Sequence, residues 1–331
     1  MRPFDWNFSL RHRTVDMKKT LRIGTRGSPL ALIQAELVRA AILAANPDLQ
    51  AECDVELVPI RTSGDWKPEM AERTLEESGA NKGLFTKEID EALMSGFIDL
   101  AVHSAKDMAT VLPSPLVLAG CLVREDPRDA LLSSSHARLD ELPQGATVGT
   151  ASLRRAVQIK AHRRDLKTVP LRGNVDTRLK KIASGVADAT VLAVAGLKRL
   201  GLENRLTNIL DTDVMLPSVG QGALGIVARD DRKDILSLIA TVNHDPTLLC
   251  VRAERAFLRV LDGSCKTPIA GLAQLASDEI MILEGLVATP DGSKIIRKRL
   301  SGSASDPEKI GEELGAQIKG ELPDGFFDCR A

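Results

Sequence analysis

Short apolar runs that read as buried strands alternate with amphipathic stretches that read as helices over residues 21–194, and that alternation leaves few folds open. Residues 21–25 read as a strand. Ser28 then caps a helix whose first position is Pro29 and whose apolar face carries Leu30, Ile33, Leu37 and Ala41. A strand over 55–60, a helix over 86–95 and a strand over 98–103 close a first βαβ-like lobe. A second lobe begins near Asp126-Pro127-Arg128, with strands over 130–133, 146–149, 168–171 and 189–194 and helices over 153–162 and 175–184 between them. The fold class is therefore α/β, and the alternation predicts parallel sheet with helices on its faces.

Beyond Asp230 the pattern changes. A helix over 246–261 ends at Asp262-Gly263, and strands over 280–287 and 294–300 precede a last helix over 307–319, as in a small α+β domain. Residues 62–81 are polar, carry Gly64, Pro68 and Gly79, and read as a lid or mobile loop. The arm before Leu21 is polar and basic without an apolar core, which reads as an ill-ordered extension and not a secretory signal. Met17 is a second candidate start.

Four segments bring arginine to the mouths of these lobes: Thr25-Arg26-Gly27-Ser28, Ser152-Leu153-Arg154-Arg155, Arg172-Gly173-Asn174 and Thr177-Arg178. Each lies beyond a strand or opens the next helix, where open α/β sheets bind ligands. Guanidinium offers paired donors that match two oxygens of a carboxylate or phosphate. Around Arg154 and Arg155, the hydroxyls of Thr150 and Ser152 and free helix amides point the same way. Arginine at a helix N-terminus is electrostatically disfavoured, so a purely solvated role fits poorly.

The background is nearly neutral, with Lys+Arg 44 against Asp+Glu 45, so the basic segments are local sites and not a nucleic-acid-coating surface. Aromatic residues at 3 %, with no tyrosine, leave little for base stacking. Five cysteines without a Cys-x-x-Cys pair argue against a disulfide framework or zinc knuckle and for a reducing compartment. The histidines lack metal-ligand spacing, so no metal is expected. Gly220-Gln221-Gly222-Ala223-Leu224-Gly225 matches the dinucleotide fingerprint by letters, but the β-like Ile226-Val227-Ala228 follows where a helix is required. It reads as a glycine-rich connection.

Three further segments carry chemistry. Val102-His103-Ser104-Ala105-Lys106-Asp107 leaves a strand with a cation beside a carboxylate, either a surface ion pair or a group that stabilises developing positive charge. Lys82-Gly83-Leu84-Phe85 starts a helix, where Lys82 suits acidic groups and Phe85 suits either the core or a flat ring. Cys265, in the turn Gly263-Ser264-Cys265-Lys266, reads as a partly exposed thiol with Lys266 to favour thiolate, suited to attachment or nucleophilic chemistry. Cys121 and Cys250 read as buried instead.

From Leu21 to about Lys319 these words, in order, resemble the porphobilinogen deaminase (hydroxymethylbilane synthase) family. The resemblance rests on Thr25-Arg26-Gly27-Ser28-Pro29-Leu30-Ala31, Lys82-Gly83-Leu84-Phe85, Val102-His103-Ser104 with Lys106-Asp107, Arg124-Glu125-Asp126-Pro127-Arg128-Asp129, Gly149-Thr150 with Ser152-Leu153-Arg154-Arg155, Leu171-Arg172-Gly173-Asn174, Leu192-Ala193-Val194-Ala195-Gly196-Leu197, and Gly263-Ser264-Cys265 with Pro268-Ile269. It implies two lobes like those of bilobal anion-binding proteins, over 21–122 plus 223–240 and over 123–222, with a third domain over 241–331 and an extension over 1–20.

It also implies an activity. Cys265 would carry a dipyrromethane cofactor through a thioether, and four porphobilinogen units would be joined head to tail, each losing ammonia, before water releases hydroxymethylbilane. Ser104, Lys106, Asp107, Thr150, Ser152, Arg154, Arg155, Arg172 and Gly173 would hold the cofactor. Arg26, Ser28, Lys82, Phe85, Arg172 and Arg178 would hold substrate, and Asp107, with Lys106, would serve catalysis by binding pyrrole N–H groups and steadying the azafulvenium cation. The family further implies a cytoplasmic monomer. Ala105, Ala151 and Ser78 stand where the family can carry methionine, a second serine and a loop lysine. A competing reading is a non-catalytic bilobal sensor or carrier for small carboxylates, which explains the arginines but not Cys265 or Asp107.

Overall fold

The first apolar run is buried almost throughout, as a strand covered on both faces of its sheet is. It forms β1 (Lys19–Arg26), after which Ser28 accepts a hydrogen bond from the Ala31 amide and Pro29 opens α1 (Pro29–Ala45). A short α2 (Leu49–Glu52) leads into β2 (Cys53–Ile60), parallel to β1 with Ile23 opposite Leu57. Then come α3 (Lys87–Met94), β3 (Leu100–Ser104), parallel on the other edge of β1, and β4 (Leu116–Cys121). The computed structural model describes residues 19–63, 86–133, 138–261, 267–323 and 326. The expected lid beyond Ser63, the N-terminal arm up to Lys18, Lys82, Phe85 and Cys265 lie outside the described residues.

The second lobe contains β5 (Asp129–Ser133), β6 (Thr147–Gly149), α4 (Leu153–His162), β7 (Lys167–Val169), α5 (Val175–Ala183), β8 (Ala189–Ala193), α6 (Val194–Arg199) and β9 (Asn208–Ile209). The chain then returns through β10 (Leu224–Arg229) and α7 (Lys233–Ala240). Strand orders are β2-β1-β3-β10-β4 and β7-β6-β8-β5-β9. Both sheets are mixed, which corrects the expectation of parallel sheet: β10 runs antiparallel to β3 and β4, and β5 antiparallel to β8 and β9. The returning strand slots into the middle of the first sheet from the opposite end, so its direction is reversed.

The apolar face of α1 also differs from expectation. Ala31, Ala35, Val38 and Ile42 pack on the sheet, while Leu37 is 44 % exposed. Two alanines let the helix lie close to the strands, and that close approach outweighs the larger side chains one position away. Leu30 instead faces the second lobe, within 3.7 Å of where a Cβ on Gly196 would lie.

The third, smaller α+β domain packs α8 (Asp245–Val260) and a C-terminal α9 (Pro307–Lys319) against an antiparallel meander of β11 (Ile269–Leu275), β12 (Ile280–Ala288) and β13 (Ile295–Ser303). Its core gathers Phe257, Leu283, Val287, Ile310 and Leu314. Cys121 and Cys250 are buried thiols, as expected, each held above the ordinary thiol range by desolvation, to about 12 and about 11.

One carboxylate joins this domain to both connections between the lobes. Glu254 on α8 is fully buried. It accepts from Arg124 on the outgoing connection (Nη1, 2.6 Å), from the Gly220 amide on the returning one (2.6 Å) and from the Ala273 amide of β11 (2.9 Å). The two connections touch: at Gly222 φ is +89°, and a Cβ there would collide with the Glu125 carbonyl oxygen, so only glycine fits. Replacing Glu254 with alanine strands a buried guanidinium and two amides. Glu254→Ala is therefore expected to cost about 3–5 kcal/mol, read as an earlier first transition in urea unfolding.

Candidate active site

The first wall of the site is built where β1 and β3 end. Beyond β1 the chain presents Arg26 and Ser28; beyond β3 it presents Ser104 and a single 3-10 turn, Ala105–Asp107, that leaves Lys106 and Asp107 half-buried. Arg26, Ser28, Gln34, Thr86, His103 and Asp107 line one cavity. Gln34, on the sheet side of α1, fixes Ser104 with an Nε2 to Oγ hydrogen bond of 2.9 Å.

The facing wall comes from the second lobe. Thr150, after β6, is buried, and its hydroxyl accepts from the Ser152 amide at 3.1 Å. Ser152 is the N-cap of α4 but makes no side-chain cap. Arg154 and Arg155 follow, and both turn inward. Arg154 Nη2 lies 2.8 Å from Asp129 Oδ2, and Arg155 Nη2 lies 2.7 Å from Asp129 Oδ1. Arg154 also donates to the Leu216 carbonyl at 2.8 Å. The sequence reading gave these arginines an external anion; their first carboxylate is an internal one, which explains how two guanidiniums sit buried at a helix N-terminus.

Gln221 carries the network to the first lobe. Its amide nitrogen donates to Asp129 Oδ1 at 2.9 Å and to the Pro127 carbonyl at 2.7 Å, and its oxygen accepts from Lys106 Nζ at 3.4 Å. Burial alone would raise the Asp129 carboxyl, but Arg154 and Arg155 hold it well below the carboxylate range. Burial pulls Lys106 down to about 8, with Arg155 and Arg154 adding to the fall and Asp107 and Asp129 opposing it.

A second arginine group adjoins the first. Asn174 accepts from the Thr177 amide at 2.8 Å and caps α5, and Arg178 Nε donates to the Gly173 carbonyl at 2.9 Å. Gly173 has φ +116°, and a Cβ there would press on Thr177, so this tight entry needs glycine. Arg172 is buried. Desolvation, with repulsion from Arg155 and Arg172, draws Arg178 down to about 10, which places all three guanidiniums in one field.

Of the residues expected from sequence, Arg26, Ser28, Ser104 and Asp107 line one cavity. Lys106 joins Arg154 and Arg155, and Arg172 and Arg178 adjoin Arg155. Four residues of the site were not read from sequence: Gln34, His103, Asp129 and Gln221. Gln34 was hidden by the misjudged face of α1, and Gln221 by its glycine-rich surroundings. Asp129 carried a signal, a carboxylate opening the apolar run Ala130-Leu131-Leu132.

A family model described as porphobilinogen deaminase, dipyromethane cofactor binding domain, matches residues 21–237, and one described as porphobilinogen deaminase, C-terminal domain, matches 248–320. Porphobilinogen deaminase of Paracoccus denitrificans is 48 % identical, covering 95 % of this chain and 98 % of its own. A chloroplastic porphobilinogen deaminase of Pisum sativum is 47 % identical over 93 % of this chain and 83 % of its own. Among solved structures, the methionine-binding protein MetQ covers 69 % of this chain and 92 % of its own at 15 % identity and a TM-score of 0.42.

The charge coupling across the cleft has a direct readout. Followed by NMR with 13C-labelled lysine, Lys106 should lose its proton near pH 8. Asp129→Asn removes a nearby negative charge that favours the ammonium, so the midpoint should move further down; an unmoved midpoint would uncouple the two walls.

Proposed function

Because this chain belongs to the porphobilinogen deaminase family, we propose that the two walls of the cleft divide one reaction between them. The enzyme condenses four porphobilinogen molecules head to tail, with loss of ammonia, into the linear tetrapyrrole hydroxymethylbilane on a covalently attached dipyrromethane. It is a transferase of tetrapyrrole biosynthesis, and a non-catalytic carboxylate carrier is not favoured. The chain divides into lobes over 21–122 plus 223–240 and over 123–222, with a third domain over 241–331, Cys265 tethering the dipyrromethane.

The described residues fit that group. Among the described residues, Arg154 and Arg155 each keep a buried Nε without a hydrogen-bond partner, and Asp129 neutralises one of their two charges. With Lys106 and Arg178 also facing this field, cations outnumber the carboxylates Asp107 and Asp129, so an anionic ligand completes the site. Ser104, Lys106, Asp107, Thr150, Ser152, Arg154, Arg155, Arg172 and Gly173 hold the dipyrromethane, which when bound supplies the pyrrole carbon that is extended. Arg26, Ser28, Arg172 and Arg178 bind the acetate and propionate of substrate, and the family resemblance assigns Lys82 and Phe85 to substrate as well. Each added unit brings two negative charges, which this positive, partly desolvated cleft balances.

Asp107 supplies the opposite charge. It is half-buried on the first wall beside Lys106, suited to accept pyrrole N–H groups and to stabilise positive charge on the substrate's exocyclic carbon as ammonia leaves. The observation that carries this reading is the buried cationic excess of one wall meeting a single carboxylate on the other. Among the described residues no helix is long and apolar enough to cross a membrane; the near-neutral charge speaks against a nucleic-acid partner, and a cytoplasmic monomer is what the family resemblance suggests.

Two measurements test the reading. Intact mass of the purified protein should show the dipyrromethane adduct on wild type and its loss in Cys265→Ser, while wild type with porphobilinogen releases ammonia and forms tetrapyrrole; an unmodified mass in every preparation would remove covalent priming. Asp107→Ala should keep the adduct and lose turnover by about 100-fold or more, the scale of removing one transition-state charge contact. Normal turnover in that variant would take Asp107 out of the reaction.

A further inference from the structure

His103 lines the first-wall cavity, and the reaction above does not use its chemistry. It leaves β3 beside Ser104, is 5 % exposed, and lines the cavity with Arg26, Ser28, Gln34 and Asp107. Its Nε2 is buried and makes no hydrogen bond among the described residues. A buried imidazole nitrogen without a partner costs stability, and natural structures keep such atoms where a ligand or ordered water answers them.

The surroundings narrow what that ligand brings. Burial lowers the His103 pKa, and the Arg26 and Arg255 guanidiniums lower it further, to about 4, so the ring is neutral at physiological pH. A neutral ring either donates from Nε2 or accepts there, depending on its tautomer. An ammonium brought to this nitrogen would meet repulsion from the same two guanidiniums, whereas a carboxylate would be attracted by them. Asp107 already serves the cationic end of the substrate within the same cavity.

We propose that His103 is a specificity-determining residue whose Nε2–H donates to an oxygen of one carboxylate of the pyrrole substrate, the one that pairs with Arg26. Arg26 supplies charge and a fork of paired donors for that carboxylate. The imidazole adds a directional, uncharged donor that selects a carboxylate at one reach from the ring, and so a particular side-chain length. The inference rests on porphobilinogen binding in this cleft.

The test compares His103→Phe, which keeps a flat ring without a donor, with His103→Gln, whose amide nitrogen reaches about as far as Nε2. His103→Phe should raise KM for porphobilinogen about 10- to 100-fold with kcat little changed, the usual worth of a hydrogen bond to a charged group, and His103→Gln should recover most of it. Analogues lacking either the acetate or the propionate complete the cycle: with one of them the His103→Phe penalty should vanish. An unchanged KM in His103→Phe, no recovery in His103→Gln, or an equal penalty with porphobilinogen and both analogues would each overturn the proposal. Wild-type protein gives a readout independent of folding in the variants, because the His103 imidazole 15N resonance should move when one equivalent of porphobilinogen is added, and a stationary resonance would overturn it too. Absence of ammonia release by wild type would instead sink the assigned reaction, so the two failures are distinguishable.

Discussion

The carboxylate of Asp129 is what allows two arginines to be buried at the start of one helix. Desolvating a guanidinium is costly, and at the positive end of a helix it is costlier still. Asp129 offsets this by giving one oxygen to each guanidinium, fixing both planes in direction. It cancels one charge of two, and the remainder acts in a region where water screens poorly. Desolvation lowers Lys106 across the cleft and Arg178 beside it, and that residual field adds to the depression of each. A cleft that must hold a growing polyanion is thereby positive before any ligand arrives.

This arrangement needs both walls to be held in register, and the chain does it where it crosses between them. The outgoing connection carries Arg124 and the returning one Gly220 and Gln221, and all three meet buried carboxylates. Glu254 ties these connections to the third domain, so the domain assigned Cys265 is fixed to the crossing point between the walls. The absence of a side chain at Gly222 is what permits the two connections to touch. The glycine-rich run that mimics a nucleotide fingerprint is thus a packing device, and Gln221 within it relays Lys106 to Asp129.

Much of the local structure was legible. The helices over 153–162 and 307–319 begin and end where periodicity and capping residues put them, and Ser28 with Pro29 opens α1 as read. Strand direction was not legible, because a buried run carries no mark of which way it runs until its neighbours are known. The elements β4, β9, α6 and α7 also escaped notice; α6, for one, starts directly from the last residue of β8 with no turn chemistry between them. In the site, residues that look odd alone, such as Arg26, Asp107 and Arg154, stood out. Gln34, His103 and Gln221 did not, since an uncharged polar residue gains meaning only from what it faces.

By itself, the sequence determined the alternation that makes two α/β lobes, the change of pattern that makes a third domain, and the charged residues at the strand ends, because periodicity, capping and charge are local properties of the chain. Only the tertiary structure decided which carboxylate meets which arginine, that the two sheets are mixed, and that His103, a cavity-lining residue, keeps its buried Nε2 without a hydrogen bond among the described residues. Those facts depend on distances between residues far apart in the chain, and electrostatic and hydrogen-bond energies are set by distance and burial, not by residue type.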